Sequence, residues 1–130
     1  MPDFTFAHRE EGFDEHIENS IRGYSNLLDD VISLSRYFVE DDTNVVDIGC
    51  STGKLTKAMI EYNIDHCKNA NWIGVEIADG FVDDLEKRKK ELSSHNVDFL
   101  LEKKLFLIFT KVCMKVVLLY FLKKPYVRVH

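Results

Sequence analysis

The sequence predicts an α/β fold of the Rossmann type, a parallel sheet with flanking helices. Short apolar segments at residues 44–48, 72–77 and 97–101 indicate three strands. Apolar residues at helical spacing separate these strands. The first strand runs into a turn bounded by Gly49 and Gly53, and a helix follows. Strands that alternate with helices form parallel sheets with right-handed crossovers, so we expect that architecture here.

Helices are predicted at residues 13–21, 25–39, 52–62 and 78–92. The first predicted helix has acidic residues on its outer face, including Asp14. Ser25 is the expected N-cap of the second, because a serine side chain can accept from a free backbone N–H at a helix start. The predicted inner face of that second helix comprises Leu27, Leu28, Val31, Leu34, Ser35 and Phe38.

Charge divides the chain into two parts. Residues 1–102 carry 22 acidic and 10 basic side chains, whereas residues 103–130 carry seven basic side chains and no acid. We interpret residues 1–102 as the N-terminal part of one Rossmann-like domain, truncated after the third strand. Because phosphates need a basic surface, the acidic part argues against direct nucleic-acid binding.

Residues 105–122 are almost wholly apolar and allow three interpretations. A membrane segment has the right length, but Lys111 and Lys115 would each cost roughly 3 kcal/mol near the bilayer centre. A buried strand or helix pair is the second interpretation. The third, which we favour, is a lost reading frame, since residues 103–130 contain none of the turn formers Gly, Asn, Asp and Ser. We therefore expect no membrane partner.

The cysteines and histidines indicate neither a metal site nor a catalytic group. Cys50, Cys67 and Cys113 are odd in number and far apart, which fits neither a disulfide framework nor a zinc site. The five histidines show no ligand or triad spacing. The amino terminus has neither a basic start nor an apolar run, so we expect no cleavable signal and a cytoplasmic location. Lys87 to Lys90 are interpreted as a solvated helix face.

The turn after the first strand is a candidate nucleotide-cofactor loop. A Walker A loop would need glycine at position 48 and serine or threonine at position 55, where Ile48 and Leu55 stand. A dinucleotide fingerprint would need glycine at positions 51 and 54, where Ser51 and Lys54 stand. A pyrophosphate ligand is therefore disfavoured. The alternative is a tight turn that binds nothing.

Acidic residues at the ends of the first two strands favour a cationic cofactor. Asp47 precedes the loop and could attract the ammonium and sulfonium charges of S-adenosylmethionine. Glu76 ends the second strand and could accept both ribose hydroxyls. The alternatives are a strand-end cap for Asp47 and a solvated acid for Glu76. Cys50, within the loop, is interpreted as a small filler beside the cofactor rather than a nucleophile.

The motifs also resemble those of a known family. Phe13-Asp14-Glu15, Gly-Tyr-Ser-Asn at residues 23–26 and Asp-Ile-Gly-Cys-Ser at residues 47–51 resemble the carboxy-S-adenosylmethionine synthases. These enzymes are class I S-adenosylmethionine-dependent methyltransferases in fold, and the resemblance covers about residues 4–102. It implies S-adenosylmethionine or its carboxylated form as cofactor, prephenate as second substrate, and a product used in wobble-uridine modification of transfer RNA.

The resemblance also assigns roles to individual residues. Gly49, Cys50 and Ser51 would hold the amino acid of the cofactor. Gly53 is added because, without a Cβ, it lets the backbone turn sharply against a ligand. Tyr24 would contact the carboxylated methyl group, Glu76 the ribose and Ile77 the adenosine. The expected cofactor-binding residues are thus Tyr24, Asp47, Gly49, Cys50, Ser51, Gly53, Glu76 and Ile77, and no catalytic residue is identified.

Departures from the family pattern limit the predicted activity. The family's Asp-Ile pair after the third strand is replaced by Lys103-Lys104, and no later arginine clamp for the carboxylate is found. We therefore expect little or no turnover from this chain. The alternatives are a truncated module that binds the cofactor or a partner chain, and a generic small-molecule methyltransferase. A homodimer is left open.

Overall fold

A computed structural model describes residues 12–101 and the backbone of residues 119–122. Two helices, α1 and α2, precede the first strand, and the described part then alternates strand and helix up to the third strand. The elements are α1 Phe13–Ser20, α2 Tyr24–Ser35, β1 Asn44–Ile48, α3 Lys54–Asn63, β2 Asn71–Glu76, a 3₁₀ turn Asp79–Phe81, α4 Val82–Glu91, β3 Val97–Leu101 and β4 Leu119–Leu122.

The sheet confirms the predicted Rossmann-like α/β class. Its strand order is β3-β2-β1-β4, and β1, β2 and β3 pair in parallel. In this register Asp47 lies beside Gly74, and Gly74 lies beside Phe99. The carboxyl ends of β1 and β2 therefore meet at one edge, where ligands bind in open α/β sheets.

A fourth strand extends the sheet beyond the three predicted ones. β4 pairs antiparallel with β1, with Asn44 opposite Leu122 and Asp47 opposite Leu119. The strand at 119–122 agrees with the second interpretation of residues 105–122, and the lost reading frame stays a prediction. The other residues of that stretch, and the predicted boundary at residue 102, lie outside the described residues.

Two details of α2 differ from prediction. The expected Ser25 cap is wrong, because α2 begins at Tyr24 and Gly23 is its N-cap with a φ of 76°. The inner face is also narrower than predicted. Leu28, Val31 and Ile32 pack on the core and Ser35 is buried, but Leu27, Leu34 and Phe38 are more than half exposed.

The main core lies between the sheet and helices α2 and α3. It includes Val45 and Trp72 from the strands and Met59 and Ile60 from α3. A smaller cluster of Cys50, Phe81 and Leu85 lies beneath the loop that follows β1. Within residues 12–101 and 119–122, none of the helices combines the length and apolarity needed to cross a bilayer.

Candidate cofactor site

The loop between β1 and α3 is folded tightly against the end of β2. The N–H groups of Gly49 and Cys50 both donate to the carbonyl of Val75, at 2.7 and 3.1 Å. Gly53, with a φ of 73°, donates its N–H to the carbonyl of Cys50 at 2.8 Å. Gly49 and Ser51 also have positive φ, at 77° and 51°. Three left-handed residues within five give the compact turn that the sequence predicts.

Glu76 joins the end of β2 to this loop. Its Oε2 accepts the N–H of Ser51 at 2.9 Å, and its Oε1 accepts the N–H groups of Ile77 at 2.7 Å and Ala78 at 3.0 Å. The residue is 5% exposed. A carboxylate has about four acceptor positions, so roughly one is left for a ligand. Glu76 is therefore a buried, bonded acid rather than the solvated one of the alternative interpretation.

Asp47 is almost completely buried at the end of β1. Its Oδ2 accepts the hydroxyl of Thr56 on α3 at 2.7 Å. Burial is the main cause that raises the pKa of Asp47 to about 6, the Thr56 hydrogen bond opposes it, and the charge of Glu76 adds to it. Within the described residues, neither Asp47 nor Glu76 forms an ion pair. The loop is thus flanked by two buried acids, neither of which has a cationic side chain of residues 12–101 within 4.0 Å.

Tyr24 and Ile77 border the same region. Burial is the largest cause that raises the pKa of the Tyr24 phenol, and the negative charges of Asp14 and Asp47 raise it further. The ammonium of Lys54 acts in the opposite direction. Ile77 is half-buried and follows Glu76 directly. The structure therefore places seven of the eight sequence-predicted residues along the loop and the adjoining strand ends. The eighth, Tyr24, is the first residue of α2, where the charges of Asp47 and Lys54 act on its phenol.

Cys50 has the environment of a packing residue. Its thiol is buried between the loop and Gly74, where a Cβ on Gly74 would lie 3.0 Å from the sulfur. Burial, and then the charges of Asp47 and Glu76, raise the pKa of this thiol well above its usual range. A protonated, buried thiol is a poor nucleophile, which favours the filler interpretation.

Several residues of the site were not identified from the sequence. Asp14, predicted to face outward, lies with its Oδ1 and Oδ2 at 2.8 and 3.0 Å from the Thr52 hydroxyl oxygen. Arg88, predicted to be solvated, donates from Nε to the carbonyl of Thr52 at 3.3 Å. Arg88 reaches the loop because α4 packs beside it. Helical periodicity alone cannot reveal such contacts, because they cross between separate elements.

A cleft lies away from these residues. It is between the carboxyl end of α4 and the first residue of β3, at the opposite end of the strands from the loop. Its lining comprises Glu86, Lys89, Lys90, Leu92, Ser93, His95 and Val97. Among residues 12–101, no three His, Cys, Asp or Glu side chains are grouped as metal ligands.

Comparison with known proteins gives a partial match. No protein-family model matches the chain. Carboxy-S-adenosyl-L-methionine synthases of Staphylococcus epidermidis, Colwellia psychrerythraea and Salmonella arizonae are 45%, 42% and 41% identical over 64, 60 and 71 residues. The chain is a partial match to the carboxy-S-adenosyl-L-methionine synthase family.

The match to these synthases covers the N-terminal half of the chain. It accounts for 49%, 45% and 52% of this chain in the three comparisons. The chain spans about a quarter of the length of these relatives, at 27%, 25% and 28%. The relatives thus agree with the resemblance seen in the motifs, and they support a methyltransferase-like family with S-adenosylmethionine as cofactor.

Proposed function

We propose that the loop between β1 and α3 binds S-adenosylmethionine. The observation that carries this proposal is the pair of buried acids, Asp47 and Glu76, which flank the loop without an ion-pair partner among the described residues. A ligand cation about 4 Å from one of these carboxylates would gain on the order of 4 kcal/mol at an effective dielectric constant of about 20. A sulfonium nucleotide supplies such a charge, whereas a phosphate-bearing nucleotide would be repelled.

The proposed roles follow the positions of the residues. The loop residues Gly49, Cys50, Ser51 and Gly53 would hold the amino-acid part of the cofactor. Glu76 would bind the ribose, and Ile77 would pack along the adenosine. Because Glu76 already accepts three backbone N–H groups, binding both ribose hydroxyls requires it to release one of them. Of the three, the bond from the Ser51 N–H is the one that Glu76 can release while it keeps the two bonds at the end of β2.

For the whole protein we propose the reaction named by its relatives, synthesis of carboxy-S-adenosylmethionine. The second substrate would be prephenate, and the product would serve wobble-uridine modification of transfer RNA in the cytoplasm. Tyr24 supports this proposal, because its half-buried phenol lies within the electrostatic influence of Asp14 and Asp47 and could contact a carboxylated methyl group. Turnover requires parts of the family's sequence that the match does not cover.

Calorimetric titration of the chain with S-adenosylmethionine tests the binding proposal. S-adenosylhomocysteine is the matched ligand control, because it lacks the methyl group and the sulfonium charge. We expect tighter binding of the cation and no binding of ATP. Equal affinity for both sulfur nucleotides would argue against the role of the acids, and no binding of either would refute the proposal.

A second candidate function is cofactor binding without turnover. It is favoured by the extent of the match, which reaches only about a quarter of each relative. An assay with S-adenosylmethionine and prephenate separates the two candidates. Formation of carboxy-S-adenosylmethionine at rates typical of enzymes supports the synthase, and binding without product supports the module.

A further inference from the structure

Helix α1 approaches the loop region through three side chains. The rings of Phe13 and Phe81 meet edge to face with centroids 4.8 Å apart. Glu18 forms an ion pair with Lys54 at the start of α3. Between them along the helix, Asp14 contacts the hydroxyl of Thr52. No residue of α1 is buried, so these contacts hold the helix beside the loop.

Thr52 is held from two sides. Its hydroxyl lies 2.8 Å from Oδ1 of Asp14 on α1, and its carbonyl accepts from Nε of Arg88 on α4 at 3.3 Å. Thr52 is only 3% exposed. It also lies between Ser51 and Gly53, whose φ angles are 51° and 73°. A left-handed serine persists only where its surroundings restrain the backbone. The Ser51 N–H donates to Glu76, and the contacts on Thr52 restrain the next residue of the loop as well.

We propose that Asp14 is a positioning residue for the cofactor loop. Its carboxylate acts through the Thr52 hydroxyl to hold Ser51 and Gly53 in the conformation that receives the cofactor. The inference rests on the proposed function, since it gives α1 a part in the same site. Asp14 touches Thr52 rather than the ligand, so its effect is on the geometry of the loop.

The rival explanation for any effect of Asp14 is its charge. The same carboxylate raises the pKa of Tyr24, so it could also attract a cationic ligand at a distance. Asp14→Asn separates the two explanations, because an amide oxygen can still accept from Thr52 but carries no charge. Thr52→Ser retains the hydroxyl and Thr52→Val removes it. Glu15→Ala is the matched control on the exposed face of α1.

The experiment measures the dissociation constant for S-adenosylmethionine and the thermal midpoint of each variant. Loss of a hydrogen bond to a charged group predicts about a tenfold weaker binding for Asp14→Ala and Thr52→Val, with Asp14→Asn, Thr52→Ser and Glu15→Ala near wild type. The double variant Asp14→Ala/Thr52→Val should bind S-adenosylmethionine no more weakly than either single variant, since both substitutions remove the same interaction. Additive losses, or Asp14→Asn behaving as Asp14→Ala, would overturn the proposal.

Amide hydrogen exchange of Ser51, Thr52 and Gly53 without ligand is the second readout. We expect a lower thermal midpoint in Asp14→Ala and Thr52→Val, because a stabilising bond is lost, together with faster exchange confined to these three amides. Thr52→Ser should exchange normally. If wild type does not bind the cofactor, the proposed function fails but this readout still decides the role of Asp14. Unchanged exchange overturns the inference. If Asp14→Ala does not fold, the comparison of Thr52→Val with Thr52→Ser provides the test.

Discussion

Asp47 and Glu76 lie at the carboxyl ends of the adjacent parallel strands β1 and β2. The charge of Glu76 raises the pKa of Asp47. Both residues are at most 5% exposed. Burying two acids at one sheet edge costs free energy unless a cation or a proton compensates. In the absence of a ligand, protonation of Asp47 supplies this compensation at mildly acidic pH. A bound sulfonium ligand would supply it at neutral pH.

The affinity for S-adenosylmethionine should therefore depend on the ionisation of Asp47. A cationic ligand favours the carboxylate over the carboxylic acid, so binding should tighten as the pH rises towards about 6 and then level off. Below that point the linkage allows up to about tenfold weaker binding per pH unit. Calorimetry from pH 4.5 to 7 measures this slope. Asp47→Asn should bind weakly and without the slope, and a wild-type slope in that variant would exclude Asp47 as its source.

Asp47→Asn should also change the pH dependence of stability. The folded-state pKa of about 6 lies above the usual 3.8, so this group favours folding at low pH and loses that contribution as the pH rises from about 4 to 6. The shift corresponds to on the order of 3 kcal/mol. Asparagine can still accept from Thr56 without a charge. We expect a higher free energy of unfolding than wild type at pH 7 and convergence near pH 4, measured by urea denaturation. A lower free energy of unfolding for Asp47→Asn than for wild type at pH 7 would contradict the raised pKa of Asp47.

Glu76→Gln should weaken cofactor binding by more than it weakens the fold. Glutamine keeps one acceptor oxygen but loses the charge and one of the sites that receive N–H groups of Ser51, Ile77 and Ala78. About a tenfold or larger rise in the dissociation constant is expected from the lost charge-assisted bonds. Glu86→Gln, at an exposed position of α4, is the control and should bind as wild type. Equal dissociation constants for the two variants would show that Glu76 does not contribute to cofactor binding.

Gly74→Ala should destabilise the sheet beneath the loop. A Cβ at this position would lie 2.4 Å from Cδ1 of Phe99 and 3.0 Å from the sulfur of Cys50. Overpacking of this kind typically costs about 1–3 kcal/mol. Denaturant unfolding should show a lower free energy of unfolding for Gly74→Ala. The double variant Gly74→Ala/Phe99→Leu, which has a smaller side chain at position 99, should recover part of that free energy. Failure of the double variant to regain any stability would show that the ring is not the obstacle.

Native Cys50 should resist alkylation. Burial and the neighbouring acids keep its thiol protonated, and the thiolate is the reactive form. Treatment with iodoacetamide at pH 8, followed by mass spectrometry of the Cys50 peptide, should show little modification before unfolding and full modification in denaturant. Rapid labelling of the native chain would contradict the packing role and reopen a nucleophilic one.

The sequence predicted those parts of the fold that depend on local patterns. Residues 44–48 and 97–101 form β1 and β3 with the predicted bounds, because short apolar runs between turn formers identify strands. It was less successful where a glycine replaced the expected cap. Gly23 rather than Ser25 is the N-cap of α2, and its left-handed conformation lets the helix begin at Tyr24, one residue before the predicted start.

The partners of the loop could not be predicted in the same way. Asp14 and Thr52 are 38 residues apart in the chain, and Arg88 lies 36 residues beyond Thr52. Their contacts depend on how α1 and α4 pack against the sheet, which periodicity does not specify. The loop itself was predictable, because Gly49 directly follows an apolar strand and Gly53 directly precedes the next helix.

Heteronuclear NMR of the labelled chain during titration with S-adenosylmethionine tests the central claim most directly. The account predicts that the amide signals of Gly49, Ser51, Gly53 and Ile77 shift together and saturate with one dissociation constant. The same titration with S-adenosylhomocysteine should give weaker binding at the same residues. Unchanged loop signals, or shifts confined to the cleft around His95 and Val97, would contradict the account.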